Sequence, residues 1–181
     1  PDSIDNLMAN TRNNPLEDLA MHIPMICERY ELRDDVPPGA GKHRGGIGVV
    51  KAQRMLTPGF ITHESERHND APWGVFGGHK GAVGKCEIYN AATSDEPREM
   101  HSKFHGLHVN KDDVMVYYSP CGGGFGNPPE RPAEKVLEDV LAQFYSADHA
   151  REAYGVVVDL DSETVDVAAT EKLRAEMRVR I

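Results

Sequence analysis

Fourteen of the seventeen glycines fall in three short stretches, residues 39–48, 74–84 and 122–126. Glycine gives up more backbone freedom on folding than any other residue, so such density marks places where the chain turns sharply or packs backbone against backbone. The third stretch, within "VYYSPCGGGFGNPPER", lies between an apolar run ending at Val116, Tyr117 and Tyr118 and a helical pattern, "AEKVLEDVLAQ", opened by Pro132. A glycine-rich strand-to-helix turn is a common seat for anions. Either this turn holds an anion or it only bends the chain, and the tight, backbone-dense turn is the favoured reading.

The remaining pattern sorts into strands first and helices later. "NPLEDLAMHI" predicts a short helix with Asn13 or Asn14 as N-cap and Pro15 at the first helical position. "MICERYELR" alternates as a strand with one strongly charged face. The run after "PPGAGKHRGG" and the segment "GFITHESER", separated by Pro58-Gly59, read as a hairpin; Lys85 to Asn90 and "DDVMVYYS" read as further strands. "REMHSKFHGLHV" is half loop and half strand. Beyond residue 130 come a helix over "AEKVLEDVLAQF", a second capped by Ser146 and stopped by Gly155, a hairpin in "GVVVDLDSETVDV" and a last helix in "ATEKLRAEMR". The expected fold is α+β: a mostly antiparallel, β-rich and glycine-loop-rich core over about residues 25–120, then a helix-helix-hairpin-helix tail over about 130–181.

Composition removes several function classes. Lys plus Arg number 20 against 29 Asp plus Glu, a net charge of −9, so no basic stripe exists to release phosphate counterions and a nucleic-acid partner is not expected. The apolar runs are too short to span a bilayer. Cys27, Cys86 and Cys121 form no C-x-x-C pair, which fits a reducing cytoplasm better than a disulfide framework. Pro1 in place of an initiator Met fits Met removal, processing or a piece of a longer polypeptide.

Four motifs invite chemistry. "GAGKHRGG" sets Lys42 and Arg44 among glycine amides, an anion-binding combination, but Val36 and His43 stand where a Walker loop needs Gly and Ser or Thr. Cys121 invites a nucleophile reading, weighed against a small buried side chain with no evident base. His101, His105 and His108 suggest a metal set or a surface cluster; "HESERH" is not H-E-x-x-H. Trp73, between Pro72 and Gly74, is explained by a satellite apolar cluster beneath a loop or, more sharply, by a partner-facing anchor.

Read in order, "TRNNPLEDLAMHIPMICERYELRDD", "GAGKHRGGIGVVKAQRM", "RHNDAPWGVFGGHKGAVGK", "HSKFHGL", "YYSPCGGGFGNPPERPAEKVLEDV" and "AREAYGVVV" resemble the C-terminal region of the hydantoinase B/oxoprolinase family. That family includes N-methylhydantoinase B-type subunits, the C-terminal half of 5-oxoprolinases and the matching subunits of acetone and acetophenone carboxylases. Cys121 stands where the family usually has Gly, and Pro37-Pro38 where it has Gly-Gly or Ser-Gly. The resemblance implies that residues 1–181 are the C-terminal region of a longer B-type subunit, part of a cytoplasmic, multi-subunit, ATP-dependent enzyme acting on a carbonyl. The reaction would be hydrolysis of a cyclic amide or imide, or carboxylation of a ketone. It also implies a hydantoinase A-type partner that handles ATP and Mg2+, the rest of the B-type subunit as a second partner, any divalent metal elsewhere in the complex, and no cofactor or metal in this chain. By position Lys42, Arg44, Gly122, Gly123 and Gly124 match family blocks and are the candidate substrate or anion contacts; no catalytic residue is assigned. The alternatives are a non-catalytic module that docks other subunits and an independent metal hydrolase built on the histidines.

Overall fold

The computed structural model describes residues 15–93 and 96–179. The chain opens with helix α1 (Leu16–His22), then runs through strands β1 (Met25–Leu32), β2 (Val49–Met55), β3 (Gly59–Glu64), β4 (Lys85–Asn90), β5 (Arg98–Met100), β6 (Lys103–Val109) and β7 (Asp113–Tyr118). A 3-10 turn (Pro128–Glu130) leads to helices α2 (Ala133–Leu141) and α3 (Ala147–Tyr154). The hairpin β8 (Val158–Asp159) and β9 (Thr164–Val165) and helix α4 (Val167–Val179) follow. This is an α+β fold with antiparallel strand pairs and a helix-helix-hairpin-helix tail.

Five strands form the main sheet in the order β1-β2-β7-β4-β5, and β3 pairs with β6 in a separate ribbon. The expected hairpin between the segments now labelled β2 and β3 does not form. Val50 and Ala52 of β2 are buried, so both edges of that strand need ladder partners, and β1 and β7 supply them. β3 only half-buries alternate residues and is satisfied by the single partner β6. The ribbon lies against the main sheet through His63, whose ring sits 4.9 Å from Tyr117 and 5.4 Å from Phe104.

Local signals hold well in the tail. Ser146 accepts the His149 N–H at 3.1 Å, and Gly155 ends α3 in the left-handed region at φ 64°. Pro15 is the N-cap of α1 rather than its first helical residue, so the helix begins one position later than expected, because the Pro15 ψ of 136° is extended. The Asn13 or Asn14 cap lies outside the described residues. "REMHSKFHGLHV" resolves into β5 and β6. One apolar cluster, Val50, Ala52, Val114 and Val116, fills the sheet; another, including Val136, Val140, Tyr145, Tyr154 and Val156, fills the tail and reaches Ala40 in the first glycine stretch.

Candidate functional site

The three glycine stretches meet in one place. Residues 122–126 run between 39–46 on one side and 74–79 on the other, with bridges from Phe125 to both His43 and Val75. Gly39 N–H donates to Gly122 O at 2.9 Å, Gly122 N–H to Gly46 O at 2.8 Å, and His43 and Phe125 exchange both bonds. On the other flank Val75 N–H donates to Gly124 O and Gly126 N–H to Val75 O, each at 2.9 Å. A β-carbon on Gly45 would fall far inside contact with the Gly122 carbonyl, and one on Gly124 would do the same with the Ala40 carbonyl. The glycines are there because carbonyls from neighbouring segments occupy the space of a side chain.

The amide of Gly122 is spent on Gly46 O and that of Gly124 on His79 O, 2.9 Å away. Gly122, Gly123 and Gly124 therefore lie inside a backbone weave, with Gly123 packed against the Trp73 carbonyl. They are not brought together with the side chains of Lys42 and Arg44.

Those two side chains instead point toward the helical tail. Arg44 Nε donates to Asp139 Oδ1 at 3.0 Å, and Arg131 Nη2 donates to the other oxygen at 2.7 Å. The Tyr145 hydroxyl donates to that same oxygen at 3.0 Å. Asp139 is 6% exposed and lies beside Val136 and Val140 on the buried stripe of α2. Lys42 Nζ sits 3.3 Å from Glu130, and Arg131 Nη1 donates to Lys42 O at 3.3 Å. Lys42, His43, Arg44, Arg131, Pro132 and Lys135 line a cavity of about 390 Å3. Asp139, Arg131 and Lys135 lie far from "GAGKHRGG" in sequence, and no spacing rule joins them to it. An available signal was Asp139 itself, a carboxylate on an apolar helix stripe that must find cationic partners.

Cys121 is fully buried and accepts the Gly48 N–H at 3.4 Å; burial pushes its thiol pKa up, so it is a packed thiol and not an activated nucleophile. Cys86 is likewise pushed up, to about 11, by burial. His105 pairs with Thr62 and His108 packs on Phe60, while His101 lies between β5 and β6. Among the described residues no three His, Cys, Asp or Glu side chains converge as a metal set. Trp73 is 68% exposed with the Arg67 guanidinium 4.9 Å above its ring, so the buried satellite cluster is not what holds it. Arg33, which no sequence motif marks, is 3% exposed; it forks onto Asp35 at 2.9 Å and donates to the Val83 and Ser119 carbonyls. The Arg33 hydrogen bonds hold the Asp35 carboxyl below its ordinary pKa.

Residues 1–128 match the hydantoinase B/oxoprolinase family model. The chain is 42% identical over 173 residues to a putative D-/L-hydantoinase B-type subunit of Pseudomonas sp. strain NS671, covering 96% of this chain and 29% of that protein. Its fold matches the ATP-dependent caprolactamase of Pseudomonas jessenii with a TM-score of 0.76 and 27% identity, over 90% of this chain and 28% of that one. The nucleotide-free structure of acetone carboxylase matches with a TM-score of 0.75 at 20% identity, over 92% and 26%, a likeness of fold alone. The chain thus spans less than a third of the length of these relatives. It belongs to the hydantoinase B/oxoprolinase family.

Proposed function

We propose that this chain is the C-terminal region of a B-type subunit in a multi-subunit, ATP-dependent enzyme that acts on a carbonyl. The observation that carries the reading is the 42% identity with a hydantoinase B-type subunit along nearly the whole chain. The fold shared with a caprolactamase supports it independently. Hydrolysis of a cyclic amide or imide is the favoured reaction, because both of those relatives bear the names of such hydrolases; ketone carboxylation is the alternative within the class. An amide is a poor electrophile until its oxygen carries a better leaving group, which is what ATP supplies, and positioned cations then stabilise the charge that develops.

Within that assembly the chain contributes a frame and a basic edge. The amides of Gly39, Gly45, Gly122 and Gly124 are bound to the chain's own carbonyls, which favours nucleotide and Mg2+ being handled by an A-type partner. Lys42 and Arg44 are the candidate anion contacts on this chain, and Gly122, Gly123 and Gly124 shape the backbone beneath them. The proposed setting is the cytoplasm, whose reducing conditions keep thiols such as Cys27, Cys86 and Cys121 free; no helix among the described residues is long and apolar enough to cross a membrane.

The test is reconstitution with the A-type polypeptide and the rest of the B-type polypeptide, assayed for phosphate release from ATP with hydantoin, 5-oxoproline, caprolactam, or acetone plus bicarbonate. Turnover that needs this chain and ATP together is expected with one of the ring substrates. Turnover unaffected by omitting this chain would overturn the reading.

A second reading, a docking module without a catalytic part, rests on one feature. Trp73, Phe76 and Phe125 are 68%, 78% and 49% exposed on the surface of the weave, and large aromatics are favoured at interface centres. If Lys42→Ala and Arg44→Ala leave turnover of the assembly intact while Trp73→Ala and Phe76→Ala dissociate it, this reading replaces the first.

A further inference from the structure

The geometry points to an oxyanion site of the phosphate class in the cavity between the first glycine stretch and α2. Its lining carries four permanent cations, Lys42, Arg44, Arg131 and Lys135, and the His43 imidazole, on a chain whose net charge is −9. A concave surface of one sign, with protein on its walls, concentrates the potential far more than the same charges spread over a convex face. The volume, about 390 Å3, lies in the range of small-ligand sites.

The cations divide into a fixed floor and mobile arms. Arg44 is held by Asp139 and by the Phe144 ring, 4.6 Å from its guanidinium carbon; Arg131 is held by Asp139 and the Lys42 carbonyl. Both guanidinium groups are about nine-tenths buried, so their orientation is set before any ligand arrives. The carboxylate that orients them is itself buried and already accepts from Tyr145, so it lies under the floor and does not compete for the cavity. Lys42 and Glu130 are about half exposed at 3.3 Å, a screened and exchangeable pair that a stronger anion can displace. Pro132 brings the start of α2 to the wall with no side-chain cap, and its partial positive charge, partly offset by Glu134 in the first turn, has the same sign as the arms.

A phosphate group suits this arrangement better than a carboxylate. Its oxygens spread in three directions and carry up to two charges, matching cations supplied by two chain segments, residues 42–44 and 131–135, whereas a planar carboxylate is served by a single fork. The inference deepens the proposed function and rests on it only for the origin of the phosphate, free or carried on an organic molecule.

The experiment is a titration of the 15N-labelled 181-residue chain with inorganic phosphate, phenyl phosphate or acetate at constant ionic strength, followed by amide shifts. Saturable shifts in residues 42–44 and 133–135 are expected with one or both phosphates and not with acetate. Tighter binding of phenyl phosphate would assign a phosphorylated organic ligand, and tighter binding of inorganic phosphate the free ion. Lys42→Ala/Lys135→Ala should weaken binding by about tenfold or more while circular dichroism is unchanged, and Lys172→Ala on α4 should leave it alone. Lys135→Glu serves as a second variant and should abolish the shifts. Absence of saturation, equal binding of acetate, or wild-type affinity in the double variant would overturn the inference. Because no ATP turnover is read, these outcomes are independent of whether the assembled enzyme proves ATP-dependent.

Discussion

Adding a methyl group to Gly45 forces it into the Gly122 carbonyl, which backbone on both sides holds in place. Gly45→Ala should therefore destabilise the chain by roughly 3 kcal/mol, the upper end for overpacking a core, whereas Gly59→Ala, with open space around it, should change stability by about 0.5 kcal/mol at most. Urea unfolding of the two variants side by side checks this; equal effects would show that composition and not close approach placed the glycines. Asp139→Ala leaves two largely buried guanidinium groups without the carboxylate that orients them, and a loss of about 3 to 5 kcal/mol is expected in the same measurement. At this scale the sequence disclosed the basic pair in "GAGKHRGG" but not its anchor. Asp139 and Arg131 come from beyond the third glycine stretch, and only the folded tail brings them to Arg44.

Elements defined by neighbours in sequence were legible. The Ser146 cap and Gly155 stop of α3 follow from side-chain and backbone chemistry within a few residues, and Ser146→Ala should cost about 1 kcal/mol in thermal or urea unfolding. Strand pairing was less so. The Pro58-Gly59 turn marks a change of direction, yet which strand β2 joins depends on burial of Val50 and Ala52 against distant β7. The β3/β6 ribbon also carries a pH dependence. Burial lowers the pKa of His63, with the neighbouring His68 charge adding to it, and burial lowers that of His68 too. Both therefore bind fewer protons folded than unfolded, so stability rises with pH across this window. It should fall as pH drops from above the unfolded value near 6.5 and level off below the depressed folded values. The Nε2 of His63 is buried with no hydrogen-bond partner among the described residues, against Phe104 and Tyr117. His63→Phe should raise the urea midpoint at about pH 5.5 relative to the parent and flatten its pH slope; an unchanged slope would assign the dependence elsewhere.

At the scale of the whole molecule, the three glycine stretches, separated by strands in the sequence, form one frame that joins the sheet to the helical tail. Ala40, inside the first stretch, packs in the core of the tail, while Gly48 and Cys121 lock the end of the sheet. The clustering announced that backbone would meet backbone, and the family blocks announced the order of the pieces. Neither could show that the amides face inward, because that depends on three chain segments coming into register. Amide hydrogen exchange tests this most directly. If the weave is a rigid frame, the amides of Gly39, Gly45, Gly122 and Gly124 exchange as slowly as those of Ala52 and Val116 in the central strands, with or without phosphate. Fast exchange at Gly122 and Gly124 that slows when phosphate is added would instead make the third stretch an open anion loop, and the account of the fold as a closed backbone weave would be wrong.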